Sequence, residues 1–140
     1  MTEQALLRVE DLRVEFKTRR GVASVLNGVS FQVRPRETLC VVGESGCGKS
    51  MTALALLGLI PTPPGKIASG RVLYGQEDLL QASPARMREI RGNRISMIFQ
   101  EPMTSLNPLH SIERQIGEIL KLHGMSGDAA VRNRVIELLT

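Results

Sequence analysis

Eight consecutive residues, Gly43-Glu44-Ser45-Gly46-Cys47-Gly48-Lys49-Ser50, satisfy every position of the phosphate-cradling pattern G-x-x-x-x-G-K-[ST]. Four fixed positions arise by accident roughly once in a few hundred chains of this length at ordinary residue usage. The flanks agree with the match. Residues 38–42, Thr-Leu-Cys-Val-Val, read as a short, fully buried strand entering the loop. Residues 51–59 are rich in Ala and Leu, as the helix leaving it should be. A Gly-rich turn that only joins a strand to a helix needs neither Lys49 nor Ser50.

The residue types follow from the chemistry. Gly43, Gly46 and Gly48 permit positive φ and let backbone N–H groups approach an anion closely. A helix starting near Lys49 directs its partly positive N-terminus, about half an elementary charge, at that anion. Lys49 reaches β- and γ-phosphates and the Ser50 hydroxyl ligates Mg²⁺ in such loops, so the expected ligand is a nucleoside triphosphate. Glu44, Ser45, Cys47 and Met51 complete the expected cradle.

Bulk properties narrow the classes. The 140 residues suffice for one ordinary domain with a substantial core. A net charge of +4 suits polyphosphate ligands without demanding nucleic acid. With three Phe, one Tyr and no Trp, a stacking platform for single strands is not expected. Cys40 and Cys47 fit neither metal nor disulfide spacing, so a reducing cytosolic compartment is the default. The first four residues lack signal-peptide character. The longest apolar run, residues 51–60, is too short to span a bilayer, so membrane association is expected only through a partner.

Along the chain, residues 6–16 alternate as a strand with a phase shift near Asp11, and residues 22–33 read as two short strands broken by the turn signal Asn27-Gly28. Pro35 separates this β region from the loop strand, and Pro61, Pro63, Pro64 and Gly65 break the loop helix. Residues 70–75 form a strand and turn, and Ser83-Pro84 caps a short helix ending near Gly92. Residues 94–99 read as an apolar strand. Two amphipathic helices follow. Ile112, Ile116, Ile119 and Leu120 face one side of the first, with Gly124 at C′. Asp128 caps the second, lined by Val131, Val135, Leu138 and Leu139, whose pattern runs to Thr140 without a stop signal and suggests a truncated coding region.

The segment Phe99-Gln100-Glu101-Pro102-Met103-Thr104-Ser105-Leu106-Asn107-Pro108 distinguishes among nucleotide hydrolases. A glutamine leaving a strand fifty residues after Ser50 carries a donor and an acceptor, suited to both Mg²⁺ and an attacking water. A surface Gln before a Pro turn is the plainer reading for an isolated Gln-Glu-Pro. Together with residues 42–46, this segment resembles the ATP-binding subunits of ABC transporters, and the oligopeptide, dipeptide and nickel importer branch in particular. The resemblance runs from Leu7 to Leu139.

The resemblance implies an α/β P-loop NTPase fold: an antiparallel β subdomain (residues 1–36 and 66–80), part of a RecA-like core (37–60 and 93–100) and the start of a helical subdomain (101–140). It makes residues 43–50 the Walker A loop, Gln100 the Q-loop glutamine (catalytic with Lys49, and a metal contact with Ser50), and Phe16 the adenine-stacking aromatic. A core strand residue is the competing reading of Phe16. The implied cofactors are ATP and Mg²⁺. The implied partners are transmembrane permease subunits and a second ATP-binding subunit, with a solute-binding protein engaged indirectly. The implied location is the cytoplasmic face of the inner membrane. Residues 101–108 become the relay to the permease, and peptides or similar small solutes the cargo.

Departures matter too. No Leu-Ser-Gly-Gly-Gln signature, no apolar strand ending in Asp-Glu and no switch histidine occur in the sequence. His110 and His123 fall too early and read as loop and helix-end residues. On the resemblance, the C-terminal remainder of the domain is missing, so these 140 residues alone are expected to bind nucleotide weakly, hydrolyse it hardly at all, and fold loosely or aggregate. Arg36 stands where relatives carry glycine, and Cys47 where serine is commoner. Two other readings remain: a soluble P-loop kinase using Arg86, Arg88, Arg91 and Arg94, against which a solvated helix face explains those arginines, and a non-catalytic nucleotide-binding fragment.

Overall fold

Three long strands and a short fourth take up most of the N-terminal part of the chain, and a helical pair follows. The computed structural model describes residues 4–101 and 105–140. It divides into two compact units, Met1–Arg88 and Glu89–Thr140.

In the first unit, β1 (Leu7–Thr18), β2 (Gly21–Val33), β3 (Gly65–Tyr74) and β4 (Glu77–Asp78) form an antiparallel sheet in the order β2-β1-β3-β4. Val9, Leu12 and Val14 of β1, Leu26 of β2 and Val72 of β3 are buried at its centre. Val9 and Leu12 are three residues apart, which strict alternation would send to opposite faces. A bulge resolves this: register shifts between Val9 and Leu12 while Asp11 adopts φ 45°. The Asp11 N–H then donates to Ser30 Oγ at 2.8 Å, and its carboxylate holds Arg13.

Asn27 and Gly28 lie inside β2, not in a turn; the strand expected to break there is continuous. Gly28 has φ 85°, the left-handed conformation that favours glycine, and a Cβ there would also come within 2.8 Å of Asp11 Oδ1. Asn27 Oδ1 accepts from Arg13. The hairpin turns instead at Arg19-Arg20, where Thr18 Oγ1 donates to the Gly21 carbonyl at 2.7 Å and accepts from Arg20 N–H at 3.2 Å. β3 also starts earlier than expected, at Gly65 rather than Gly70.

After β2 the chain turns at Pro35-Arg36, with Glu37 N–H donating to the Arg34 carbonyl at 3.2 Å. Arg36, third in this turn, takes φ 61°, the conformation that favours glycine. Residues 38–42 then run without a sheet partner and exposed, with Val42 at 89%. The expected buried strand is therefore not formed: apolar content gives it a reason to be covered, but every described ladder of the sheet is antiparallel and elsewhere. Residues 94–99 form no strand either, although Ile95 and Met97 are half-buried. Ile95 makes one isolated bridge to Arg91, and Ile98 is 93% exposed.

α1 (Lys49–Leu56) follows the loop, and α2 (Pro84–Ile90) starts with Arg86 N–H donating to Ser83 Oγ at 3.2 Å. In the second unit, α3 (Ile112–Leu122) starts at Ser111, whose Oγ accepts from Arg114 N–H. It ends in a Schellman motif: Gly124 (φ 96°) donates to the Lys121 carbonyl and Met125 to that of Leu120. α4 (Asp128–Leu139) is capped by Gly127, not Asp128. Asp128 is the first helical residue, and its carboxylate accepts from Lys121 Nζ at 2.8 Å. The helices approach closely where a Cβ on Gly117 would lie 3.0 Å from Val131 Cγ1. Val131 and Val135 are buried, whereas Ile119, Leu138 and Leu139 of the expected apolar faces are exposed, one helix being too narrow to cover both stripes.

Candidate phosphate-binding site

The site is built on the unpaired run 38–42, a turn at Ser45-Gly46 and the first turn of α1. Gly48 is the N-cap at φ 99° and offers no side chain to the helix, so the first N–H groups of α1 keep their capacity for an outside acceptor. Gly46 also has positive φ, 82°. Gly43 does not; a Cβ there would lie 2.6 Å from Cys47 Sγ, so the thiol would have to move aside. The expectation of positive φ at all three glycines therefore holds at two.

Lys49 folds back over the loop. Its Nζ donates to the carbonyls of Gly43 and Glu44, both at 2.7 Å, with Cys47 Sγ at 3.6 Å. Cys47 N–H donates to the Glu44 carbonyl at 3.3 Å, tightening the same turn. One ammonium thus ties both sides of the loop. Ser50 is exposed in the first helical turn and Met51 half-buried behind it. Thr52 anchors the helix start, donating from Oγ1 to the Gly48 carbonyl at 3.0 Å. Against the sheet, a Cβ on Gly48 would lie 2.7 Å from Leu26 Cδ2, so α1 begins in direct contact with β2. Beside the loop an apolar groove of about 460 Å³ runs between Val29 and Phe31 of β2, Leu39, Val41 and Leu56, with Lys49 at its edge.

Phe16 is half-buried near the end of β1, paired with Ala23 and Gly65. Gly65 is explained chiefly by the Pro61 carbonyl and Ile60, 2.7 and 2.6 Å from where a Cβ would be, and the Phe16 ring packs beside it at 3.0 Å. Gln100, in the second unit, is an exposed residue at a bend and borders an open pocket with Phe99, Glu101 and Ser105. Pro102, Met103 and Thr104 of the expected relay, like Met1, Thr2 and Glu3 of the N-terminal reading, lie outside the described residues. His110 ends a turn and His123 ends α3, as the sequence suggests.

Charge is arranged in local pairs away from the loop. Arg86 grips Glu77 with two nitrogens, Nε at 2.9 Å and Nη2 at 2.9 Å, and these hydrogen bonds hold the Glu77 carboxyl below its ordinary 4.5. Lys121 lowers that of Asp128 in the same way. Sequence reasoning missed one polar centre. Gln115 makes three side-chain hydrogen bonds to the backbone of Asn107 and His110. Its signal was available: a polar residue between Ile112, Ile116 and Ile119 on an otherwise apolar stripe.

Comparison with known proteins accords with this geometry. Residues 26–140 match the family model described as ABC transporter. The chain is 50% identical over 137 residues to an uncharacterized ABC transporter ATP-binding protein, YejF of Escherichia coli, covering 97% of this chain and 26% of that protein. It is 46% identical over 134 residues to the oligopeptide transport ATP-binding protein OppD of Bacillus subtilis, covering 96% of this chain and 37% of that one. Among solved structures, the ATP-binding cassette MJ0796, a dimer in a post-hydrolysis state bound to ADP and Pi, aligns with a TM-score of 0.77 at 19% identity, over 95% of this chain and 55% of its own. The last likeness establishes the ATP-binding-cassette fold. The chain spans between a quarter and two-fifths of the length of these two curated relatives.

Proposed function

The chain belongs to the ABC transporter family, and from that premise we propose that it is the nucleotide-binding part of an importer ATPase that takes up peptides or similar small solutes. The observation that carries this is the loop itself. Its helix N-terminus lacks a side-chain cap, and Lys49 is held above it by two carbonyls at 2.7 Å. A triphosphate exchanges those carbonyl contacts for phosphate oxygens, a stronger partner for an ammonium than a neutral carbonyl.

The Ser50 hydroxyl, exposed in the first turn of α1, is a hard oxygen donor of the kind Mg²⁺ takes. Held there, Mg²⁺ would supply charge neutralisation for the triphosphate. From its place in the sequence, Gln100 is assigned to the same ion and the attacking water, and Phe16 to the adenine face. On this reading residues 37–60 and 93–100 belong to the nucleotide core and residues 101–108 to the relay. The partners are permease subunits and a second ATP-binding subunit at the cytoplasmic face of the inner membrane. OppD, named for oligopeptide transport, supports the peptide cargo. The kinase alternative gains nothing: the family match is to ABC transporters, and Arg86, one of its four arginines, pairs with Glu77.

The test is direct ATP binding, read with a fluorescent nucleotide, in the protein and in Lys49→Ala. Loss of at least about tenfold in affinity is expected for removal of a charge-assisted contact. Unchanged affinity would refute the assignment.

A further inference from the structure

We propose that Gln115 is a positioning residue of the relay, joining the loop at residues 105–110 to α3 so that the two move as one body. The proposal rests on the importer reading above for what the relay does, and on hydrogen-bond geometry for how Gln115 acts. The Asn107 N–H donates to Gln115 Oε1 at 2.9 Å, while Gln115 Nε2 donates to the Asn107 carbonyl at 3.0 Å and to that of His110 at 2.9 Å. The side-chain amide therefore pairs with the Asn107 peptide as a neighbouring strand would. Its orientation is fixed chemically: an N–H faces the oxygen and two carbonyls face the nitrogen, so the flipped amide makes none of the three bonds.

Among the described residues, the loop's remaining hydrogen bonds are local. His110 N–H donates to the Asn107 carbonyl at 3.2 Å, and Leu109 N–H to Asn107 Oδ1 at 2.9 Å. These bonds close a turn; they do not attach it to a helix. Gln115, half-buried one turn into α3, provides that attachment, and Ser111 at the N-cap fixes where the helix begins. A displacement that arrives at Asn107 then reaches α3 without being absorbed in the loop.

The test uses the complete importer assembled in membrane vesicles, in wild-type form and with Gln115→Leu and Gln115→Glu. Three readouts are taken: amide exchange of residues 105–110, nucleotide affinity, and solute taken up per ATP hydrolysed. Gln115→Leu should speed exchange at Asn107 by about tenfold or more, the scale of losing a hydrogen bond at a half-buried site. Nucleotide affinity should be unchanged and uptake per ATP should fall severalfold. In Gln115→Glu the ionised carboxylate still accepts from Asn107 but turns its second oxygen toward two carbonyls. Its exchange protection and coupling should return as pH drops toward the carboxylic range and a proton restores one donor. Faster exchange with uptake per ATP unchanged would overturn the relay role, as would unchanged exchange in Gln115→Leu. Loss of nucleotide affinity in both variants would mean that the residue supports the fold generally, which also overturns it. A failure of Lys49→Ala to affect binding strikes the importer reading instead, so the two failures are distinguishable.

Discussion

Replacing Gly48 by alanine should destabilise the first unit far more than the same change at Gly46, although both glycines lie in one loop at positive φ, 99° and 82°. The backbone part is common: about 1–2 kcal/mol for placing an L-residue in the left-handed region. At Gly46 it is nearly all there is, because a Cβ meets nothing within 4 Å. The reduced freedom of the unfolded chain offsets about 0.4–1 kcal/mol of it. At Gly48 the Cβ would lie 2.7 Å from Leu26 Cδ2 and 3.3 Å from the Val25 carbonyl. Leu26 is 2% exposed and cannot swing into solvent, so overpacking adds about 1–3 kcal/mol. Urea unfolding should place Gly48→Ala at about 2–4 kcal/mol and Gly46→Ala near or below about 1 kcal/mol. A double-mutant cycle isolates the cause. Leu26→Ala alone costs about 2–5 kcal/mol, but in its background the steric part of Gly48→Ala should vanish, giving a coupling of about 1–3 kcal/mol. Equal losses at the two glycines, or additivity in the cycle, would refute the claim that α1 starts in contact with β2.

Two further changes test the turn and the ion pairs. Arg36→Gly should stabilise the chain by about 0.5–1 kcal/mol, since relief of the left-handed φ exceeds the entropy glycine adds to the unfolded state; a thermal melt unchanged or lowered contradicts this. Glu77 has a folded-state carboxyl pKa held below its ordinary 4.5, so its contribution is present above that pH and disappears as pH falls through the lower folded value. Arg86→Met should return the Glu77 titration to the ordinary carboxylate range in a side-chain NMR titration and remove that part of the acid sensitivity.

How far the sequence revealed this structure depends on whether a feature is local. The shift near Asp11 was legible because Val9 and Leu12 break period two within four residues, and the Schellman end of α3 was legible from Gly124. Ser83-Pro84 marked a helix start by chemistry alone. Asn27-Gly28 misled because a bulge and a type I′ turn both place positive φ at glycine; only the partner strand, with Asp11 and Arg13 reaching across, distinguishes them. Residues 38–42 and 94–99 carried the apolar content of buried strands, but composition says that a segment needs covering and not what covers it. The phosphate loop was readable as a motif. The positions of its side chains were not: Lys49 on the Gly43 and Glu44 carbonyls, or Gly43 against Cys47, depend on contacts that spacing does not encode.

The Asp11 bulge also sets a rule of parity for the sheet. Before it, odd-numbered residues of β1 such as Val9 point inward; beyond it, even-numbered residues such as Leu12 and Val14 do. The neighbouring strands are built around that one extra residue, β2 through Gly28 and β3 through Gly70, whose Cβ would fall 2.6 Å from Leu12 Cα. Substitution at position 11 touches one hinge. Removal of a single codon would turn half of β1 inside out while both neighbours kept the mould of the missing residue. The strand can therefore vary in chemistry more freely than in length.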